Sequence, residues 1–226
     1  MKSDEILLRC QNIHKSFNST EGSVNVLKGI DLSLKKGSIT VISGRSGQGK
    51  SVLLSLISGV NRPTSGEIFF DDKNMMNCSR DELALIRQKK IGIIFQNFNL
   101  VSAWTALENV ESALVFNHMK KEILNIRANA TLTNLGLGHR LHHFPKQLSI
   151  GEQQRVAIAR ALIKKPELII ADEPTGDVDP ETANAILTLL IEQVKRENIA
   201  LLVATHGHFP LDVADQVYYL KDGKLE

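Results

Sequence analysis

Hydrophobic and polar residues alternate in the first part of the chain. Single polar residues separate the apolar positions Ile30, Leu32 and Leu34, and this period of two is typical of a half-buried strand. Shorter apolar runs precede it, and the polar segment 18–23 lies in between. The pattern predicts an antiparallel sheet over residues 6–34.

Four later segments are apolar or β-branched along most of their length, which is typical of strands buried on both faces. Each of them ends at a glycine or at a side chain that can form hydrogen bonds. Another strand is predicted at 67–71 and a closing hairpin at 217–224. The four buried segments are residues 38–43, 91–96, 168–173 and 199–205.

Apolar residues at helical spacing dominate the middle of the chain. Helices are predicted over 105–116 and 121–135, and Ser149 opens another that runs to about residue 162. One more helix follows at 181–196. The chain is therefore predicted to be an α/β protein, in which an antiparallel sheet lies beside a core of buried strands and a mostly helical segment interrupts that core.

Residues 44–51 follow the pattern G-x-x-x-x-G-K-[ST], which wraps its backbone around nucleotide phosphates. A predicted strand precedes the loop and a predicted helix follows it, so the helix N-terminus adds partial positive charge. The lysine is expected to reach the β- and γ-phosphates, and the last hydroxyl to bind Mg²⁺. The predicted nucleotide-binding residues are Gly44, Arg45, Ser46, Gly47, Gln48, Gly49, Lys50 and Ser51.

Polar side chains stand at the ends of three buried strands. Two carboxylates at the end of such a strand are costly without a cation or a proton to move. We therefore expect Asp172 to join Ser51 in holding Mg²⁺ and Glu173 to polarise the water that attacks the γ-phosphate. Gln96 is placed to reach the metal ion or that water, and His206 to hydrogen-bond the γ-phosphate.

Ser149 and Phe17 each allow two interpretations. Ser149 and Glu152 fit the capping box S-x-x-E, which marks only a helix start. In the functional interpretation the same N-terminus faces a phosphate, with the Ser149 hydroxyl and the Gly151 N–H as donors. Phe17 precedes the polar segment 18–23, where its ring either joins the core or stacks on a base.

The cysteines and histidines favour structural roles over metal binding. Cys10 and Cys78 lie far apart and match no metal-ligand spacing, which predicts two reduced thiols. His139, His142 and His143 cluster in sequence, but their spacing is poor for one helix face. Solvated loop histidines are therefore favoured over a metal site.

Composition limits the class of protein. The 226 residues, 42% of them hydrophobic, are enough for a full core in one or two lobes. A formal charge of +2 and a pI near 8.5 are too mild to predict nucleic-acid binding. No apolar run long enough for a signal peptide or a bilayer span follows the charged residues 1–5, so a cytoplasmic protein is expected.

The order and spacing of these motifs resemble the nucleotide-binding subunit of ATP-binding cassette (ABC) transporters over nearly the whole chain. Gln96 and His206 fall where that family has its Q-loop glutamine and its switch histidine. Phe17 falls at the adenine-stacking aromatic of the family, which favours stacking over a core role. The other matches are the phosphate loop, Leu148-Ser149-Ile150-Gly151-Glu152 at the signature, Asp172-Glu173 after an apolar strand, and Asp179 in the D-loop.

The resemblance implies a P-loop NTPase fold with a RecA-like core, an N-terminal antiparallel β subdomain and an inserted α-helical subdomain. Residues 1–226 are then a single ABC ATPase domain. Residues 1–96 and 160–226 form the core with the antiparallel β subdomain, and residues 97–159 form the helical signature subdomain.

The resemblance also implies ATP and Mg²⁺ as ligands and a head-to-tail dimer that closes on two ATP molecules. Ser149, Gly151 and Asp179 would contact the nucleotide of the opposite copy. An integral-membrane permease is the implied partner, with no nucleic acid bound. The subunit would sit peripherally on the cytoplasmic face of the inner membrane.

Residues 95–101, 107–110 and 172–179 look like those of the group that contains lipoprotein-releasing, macrolide-exporter and cell-division ATPases. The implied function is ATP hydrolysis coupled to export or extraction of a lipoprotein, lipid, peptide or drug. The alternative is an ATP-driven regulator of an envelope or cell-division process that acts through a membrane partner without transport.

Two signature positions depart from the usual L-S-G-G-Q. Ile150 replaces a glycine and is strained if that position needs a positive φ. Glu152 replaces a glutamine and brings negative charge near a triphosphate, unless it turns back to the Ser149 N–H. We expect hydrolysis to survive at a reduced rate. Trp104 replaces the usual leucine of the subgroup and predicts an altered contact with the partner.

Overall fold

The computed structural model describes residues 5–19, 22–117, 119–175, 178–207 and 209–226. The strands among these residues are β1 (Ile6–Ser19), β2 (Gly22–Lys35), β3 (Ile39–Ser43), β4 (Ser65–Phe70), β5 (Lys73–Asn74), β6 (Ile91–Ile94), β7 (Leu168–Asp172), β8 (Ala200–Thr205), β9 (Gln216–Lys221) and β10 (Lys224–Leu225). The α-helices are α1 (Lys50–Ile57), α2 (Arg80–Lys90), α3 (Ala106–Glu111), α4 (Lys121–Asn134), α5 (Ile150–Leu162) and α6 (Pro180–Arg196).

The first sheet is antiparallel, with its strands in the order β2-β1-β4-β5. The pairing of β1 with β2 confirms the sheet that the alternating pattern predicts. One register shift along β1 falls between Cys10 and Ile13, where two polar residues interrupt its apolar runs. The buried side chains Leu8 and Ile30 of this sheet share one core with Leu53 of α1. Thr20 and Glu21 of the polar segment 18–23 lie outside the described residues.

The second sheet has the strand order β10-β9-β3-β8-β7-β6 and is parallel except for β10. The four apolar segments of the sequence supply β3, β6, β7 and β8, because strands covered on both faces must be apolar throughout. Ser43 pairs with Thr205, and Asp172 pairs with Ala204. Strands β3, β7 and β8 therefore end at one edge, where the phosphate loop also begins.

A helical group packs on α5. Val110 of α3 and Leu132 of α4 are fully buried in one core with Val156 of α5. Helix α5 continues without a break through residues 159 and 160, the boundary predicted between the helical segment and the core. Helix α5 therefore belongs both to the helical group and to the predicted core.

Two elements differ from their predicted extents. Strand β6 ends at Ile94, and both Phe95 and Gln96 are exposed beyond it. Residues 105–116, predicted as one helix, form α3 and then the 3₁₀ helix Ser112–Asn117. The Ser112 hydroxyl donates to the Asn109 carbonyl at 2.7 Å, which competes with the α-helical hydrogen bonds. None of the described helices is both long and apolar enough to cross a bilayer.

Candidate functional site

The phosphate loop joins β3 to α1 in a conformation that depends on its glycines. Gly49, the residue before α1, has φ 101°, in the left-handed region that disfavours other residues. At Gly44, an added Cβ would lie 2.6 Å from the Leu220 carbonyl oxygen on β9. No side chain caps α1. The backbone N–H groups at its start are therefore directed into the loop, where an anion satisfies them.

The Lys50 side chain is only 5% exposed and lies inside this loop. Its Nζ donates to the carbonyl oxygens of Gly44 at 2.7 Å and Arg45 at 3.2 Å. The same Nζ is 3.5 Å from Oε1 of Glu173. Lys50 is thus held at the first turn of α1 by three oxygen atoms.

Glu173 follows β7 and connects two of the predicted site residues. Its carboxylate is 13% exposed and lies 3.5 Å from Lys50 Nζ and 2.7 Å from His206 Nδ1. The Glu173 backbone has φ 45°, an unusual conformation for a residue with a side chain. Its N–H donates to the Ala204 carbonyl at 2.9 Å. The strained backbone directs the carboxylate between a cation and an imidazole.

Asp172 and Ser51 form a second pair beside the first. Burial raises the pKa of the Asp172 carboxyl and the Glu173 carboxylate adds to this effect, whereas a hydrogen bond from the Ser51 side chain and the charge of Lys50 oppose it. A hydroxyl and a carboxylate are hard oxygen ligands of the kind that Mg²⁺ prefers. The pair therefore fits a magnesium site, because a bound cation offsets the cost of the buried carboxylate.

The mouth of the loop is formed by the other predicted nucleotide-binding residues. Arg45, Ser46 and Gly47 are exposed, and an added Cβ at Gly47 would meet nothing within 4 Å. The Gln48 side chain accepts a 2.8 Å hydrogen bond from the Asp222 N–H, which ties the loop to the β9–β10 turn. The exposed side of the loop is therefore open at Gly47.

Phe17 lies near the end of β1, paired with Val24 of β2. Its ring is 45% exposed, so it does not belong to the core. Lys15 Nζ lies 5.0 Å from the centroid of the ring. The ring is therefore exposed, with the Lys15 ammonium over one of its faces.

Ser149 and Glu152 form the predicted capping box at the start of α5. The Glu152 N–H donates to Ser149 Oγ at 3.2 Å, and the Ser149 N–H donates to Glu152 Oε2 at 2.8 Å. Arg140 Nε is 2.8 Å from the other carboxylate oxygen. Glu152 therefore turns back to its own helix start. Ile150 is the first residue of α5 and is not among the residues with positive φ, so it carries no backbone strain.

The charge of Glu152 is stabilised in this position. Partial burial raises the pKa of its carboxyl, but the Ser149 N–H and the Arg140 guanidinium lower it by more, so that the pKa is below its ordinary value. The carboxylate is fully ionised near neutral pH. It occupies part of the positive end of α5.

Gly151 and Asp179 lie where α5 meets α6. Gly151 is buried, and an added Cβ would come within 2.7 Å of Thr182 Cγ2 on α6. Asp179 caps α6 by accepting from the Thr182 N–H at 3.0 Å. Gly176 and Asp177 of the loop before α6 lie outside the described residues.

The structure also describes the surroundings of His143 and of the two cysteines. His143 Nε2 lies 3.2 Å from Arg140 Nη1. Within the described parts of the chain, no three His, Cys, Asp or Glu residues are grouped so that they could hold a metal ion. Cys10 and Cys78 are buried and form no disulfide, and burial followed by the nearby Asp31 raises the pKa of Cys10 to about 12.

Two half-buried cations, Arg160 on α5 and Lys164 just after its end, were not singled out from the sequence. The Arg160 guanidinium donates to the carbonyls of Phe98 and Asn99, just after Gln96. Lys164 Nζ donates to the carbonyls of Arg87 and Ile91, and burial followed by repulsion from Arg160 lowers its pKa to about 8. Nothing in the sequence distinguishes them, because α5 carries other polar residues from Glu152 to Arg155.

Nucleotide hydrolysis is the chemistry for which this edge of the sheet is arranged, and fold and site together define the chain as a P-loop ATPase. The chain belongs to the ABC transporter family, whose model matches residues 27–176.

The lipoprotein-releasing system ATP-binding protein LolD of Idiomarina loihiensis is 39% identical over 221 residues, which are 98% of this chain and 97% of that protein. The macrolide export ATP-binding/permease protein MacB of Bartonella henselae is 38% identical over 224 residues. These residues are 99% of this chain and 34% of the MacB protein. The ATP-binding cassette MJ0796, solved as a dimer in a post-hydrolysis state bound to ADP and Pi, superposes with a TM-score of 0.88 at 38% identity, covering 97% of this chain and 96% of that one.

Proposed function

We propose that Glu173 is the group that activates water in this ATPase and that the ATP cycle drives a membrane permease. The observation that carries the proposal is the Glu173 carboxylate, held 3.5 Å from Lys50 Nζ and 2.7 Å from His206 Nδ1. One carboxylate thus faces both the cation expected to bind phosphate and the side chain expected to detect it. Such a carboxylate is suited to orient water for attack on the γ-phosphate.

Lys50 exchanges partners when nucleotide binds. Its Nζ contacts neutral carbonyl oxygens of the loop, and phosphate oxygens are stronger acceptors because they carry charge. The N–H groups at the uncapped start of α1 bind the same phosphates. Phe17 stacks on the adenine, with the exposed ring as its platform.

Ser51 and Asp172 would hold Mg²⁺, and Gln96 would reach it from the segment after β6. The ion would supply positive charge that neutralises the nucleotide phosphates. Mg²⁺ sites of this kind use one or two carboxylates together with substrate phosphates and water, so a few protein ligands suffice. His206 hydrogen-bonds the γ-phosphate, and its contact with Glu173 links phosphate binding to the position of the carboxylate.

Two copies of the chain complete each site. Ser149 is exposed at the start of α5, and its hydroxyl hydrogen remains free to donate because the capping box uses only the oxygen as acceptor. In a head-to-tail dimer, Ser149 and Gly151 of one copy approach the nucleotide on the other, and Asp179 lies beside them. The dimeric MJ0796 cassette supports this arrangement.

A groove beside the Q-loop segment is the proposed docking surface for the permease. Its volume is about 470 Å³, and Phe95 and Phe116, which is 76% exposed, are among its lining residues. Trp104 is also exposed, in a loop fixed by the fully buried Asn109, whose Nδ2 donates to the Trp104 carbonyl. Arg160 connects this groove to the Q-loop backbone, so a movement of the partner reaches Gln96.

The permease partner places the chain peripherally on the cytoplasmic face of the inner membrane, where it drives export or extraction of a lipoprotein, lipid, peptide or drug. The LolD and MacB relatives support this assignment. The test is to purify the chain with its membrane partner and to measure ATPase activity in lipid discs. Activity that rises with transported cargo is expected. Activity that responds only to a cell-wall enzyme supports a regulator instead, and no ATPase activity in the complex refutes the proposal.

A further inference from the structure

Gln154 is a fully buried polar residue that the proposed mechanism does not use. It lies on α5, and its neighbours Val156, Ala157 and Ile158 are buried and apolar. Its Nε2 donates to the Pro174 carbonyl, whereas its Oε1 has no hydrogen-bond partner among the described residues. A buried amide that satisfies one end only is costly. A side chain kept in this state therefore requires an explanation other than stability.

Pro174 is the residue directly after Glu173. The Glu173 backbone is held on its other side by the hydrogen bond of its N–H to Ala204 on β8. Between these two attachments Glu173 adopts φ 45°, which its own conformational preference disfavours. The direction of its carboxylate therefore depends on both attachments, and Gln154 supplies the second one.

Gln154 shares its helix with the proposed contact to the opposite copy. Ser149 starts α5, and Gly151, one turn before Gln154, packs on Thr182 of α6. Helix α5 thus contacts both ends of the segment 174–182. Gln154 contacts Pro174, and Gly151 contacts Thr182. A displacement at Ser149 is transmitted along a rigid helix to the peptide that follows Glu173.

We infer that Gln154 is a positioning residue that ties the signature helix to the backbone at Glu173, so that contact of Ser149 with the nucleotide on one copy sets the Glu173 carboxylate of its own site. This inference rests on the proposed function, because it assumes that Ser149 acts across a dimer and that Glu173 activates water. It assigns Gln154 a role in turnover and none in ATP binding.

The first test replaces the amide and keeps its size. For Gln154→Leu, in the full chain bound to its membrane partner, we expect kcat to fall about tenfold, the factor that corresponds to one lost hydrogen bond. The Kd for a fluorescent ATP analogue should change by less than about twofold. The matched control is Gln153→Leu, which removes a hydrogen bond to the Leu148 carbonyl and should leave kcat within about twofold. Wild-type kcat in Gln154→Leu overturns the inference.

The second test separates positioning from packing. In Gln154→Glu, a protonated carboxyl can donate to the Pro174 carbonyl, whereas an ionised one repels it. Its kcat relative to wild type should therefore rise as the pH falls from about 8 to about 6, since burial favours the protonated carboxyl. A pH profile parallel to that of the wild type overturns the inference, and this profile decides the matter if Gln154→Leu does not fold.

The third test does not depend on hydrolysis. Backbone hydrogen exchange over residues 172–175, measured on the nucleotide-free chain, should be faster in Gln154→Leu than in Gln153→Leu. Equal exchange in the two variants overturns the role of Gln154. A wild-type complex without ATPase activity refutes the proposed function instead, and the exchange result still decides whether Gln154 holds the Glu173 peptide.

Discussion

Helices α1 and α5 both begin at a glycine-containing motif, but their N-termini differ in what occupies them. No side chain caps α1, and its first turn contains no acidic residue. The start of α5 is closed by the Ser149–Glu152 capping box, with a carboxylate already at its positive end. The first helix start leaves its N–H groups to a ligand, whereas the second satisfies two of its own through the capping box. Affinity for nucleotide should therefore reside in α1, and α5 should act mainly on closure and turnover.

The largest effect is expected at Glu173, which faces Lys50 at the start of α1. Glu173→Gln keeps the size of the side chain but cannot accept a proton, so we expect kcat to fall by about 10²- to 10⁴-fold. ATP binding should persist, because Lys50 and the loop are unchanged. Phosphate release measured beside equilibrium nucleotide binding checks both parts. Intact turnover would show that Glu173 is not the activating group.

Mixing two inactive variants tests whether α1 and α5 of different copies form one site. Lys50→Ala removes the phosphate-binding cation, and Ser149→Phe blocks the α5 contact, so each variant alone should lose ATPase activity about a hundredfold. A mixed dimer retains one site with both Lys50 and Ser149. Activity should therefore return on mixing. Failure of the mixture to recover activity would place both residues in the site of the same copy.

A smaller effect is expected at Phe17, where the adenine is proposed to stack. Phe17→Ala removes the proposed stacking surface, which is worth about 1–3 kcal/mol per base, so the KM for ATP should rise at least about fivefold while kcat changes little. Phe17→Tyr keeps the ring and serves as the control. An unchanged KM in Phe17→Ala contradicts the stacking role.

The smallest effect concerns the stability of the α5 start. The pKa of Glu152 is lowered in the folded chain, so its stabilising contribution is present above the unfolded pKa and is lost as the pH falls through the folded value. Glu152→Gln keeps the capping hydrogen bond but loses the ion pair with Arg140, and its melting temperature at pH 7 should be a few degrees lower. The difference should vanish once the pH is below the pKa of Glu152 in the folded chain. A gap that persists in acid would mean that packing, not charge, causes it.

The sequence predicts the fold and the phosphate loop, because the signal for each of them is local. Four apolar segments identify the buried strands, and the glycine pattern identifies the loop, because both depend on neighbouring residues. The contacts of Gln154 and Arg160 were not predicted. Both residues lie in a helix that carries other polar residues, so nothing distinguishes them in the sequence, and their partners, Pro174 and Phe98, are distant along the chain. The early end of β6 was missed because Phe95 extends the apolar run although its side chain is exposed.

The carbonyl oxygens around Lys50 have a consequence for the chain between two turnovers. A lone ammonium group in a dry pocket would repel the loop that surrounds it and loosen the first turn of α1. Gly44 and Arg45 supply a temporary shell of dipoles instead. The loop can thus keep its shape after the product leaves, and the next nucleotide enters by substituting one set of oxygen atoms for another.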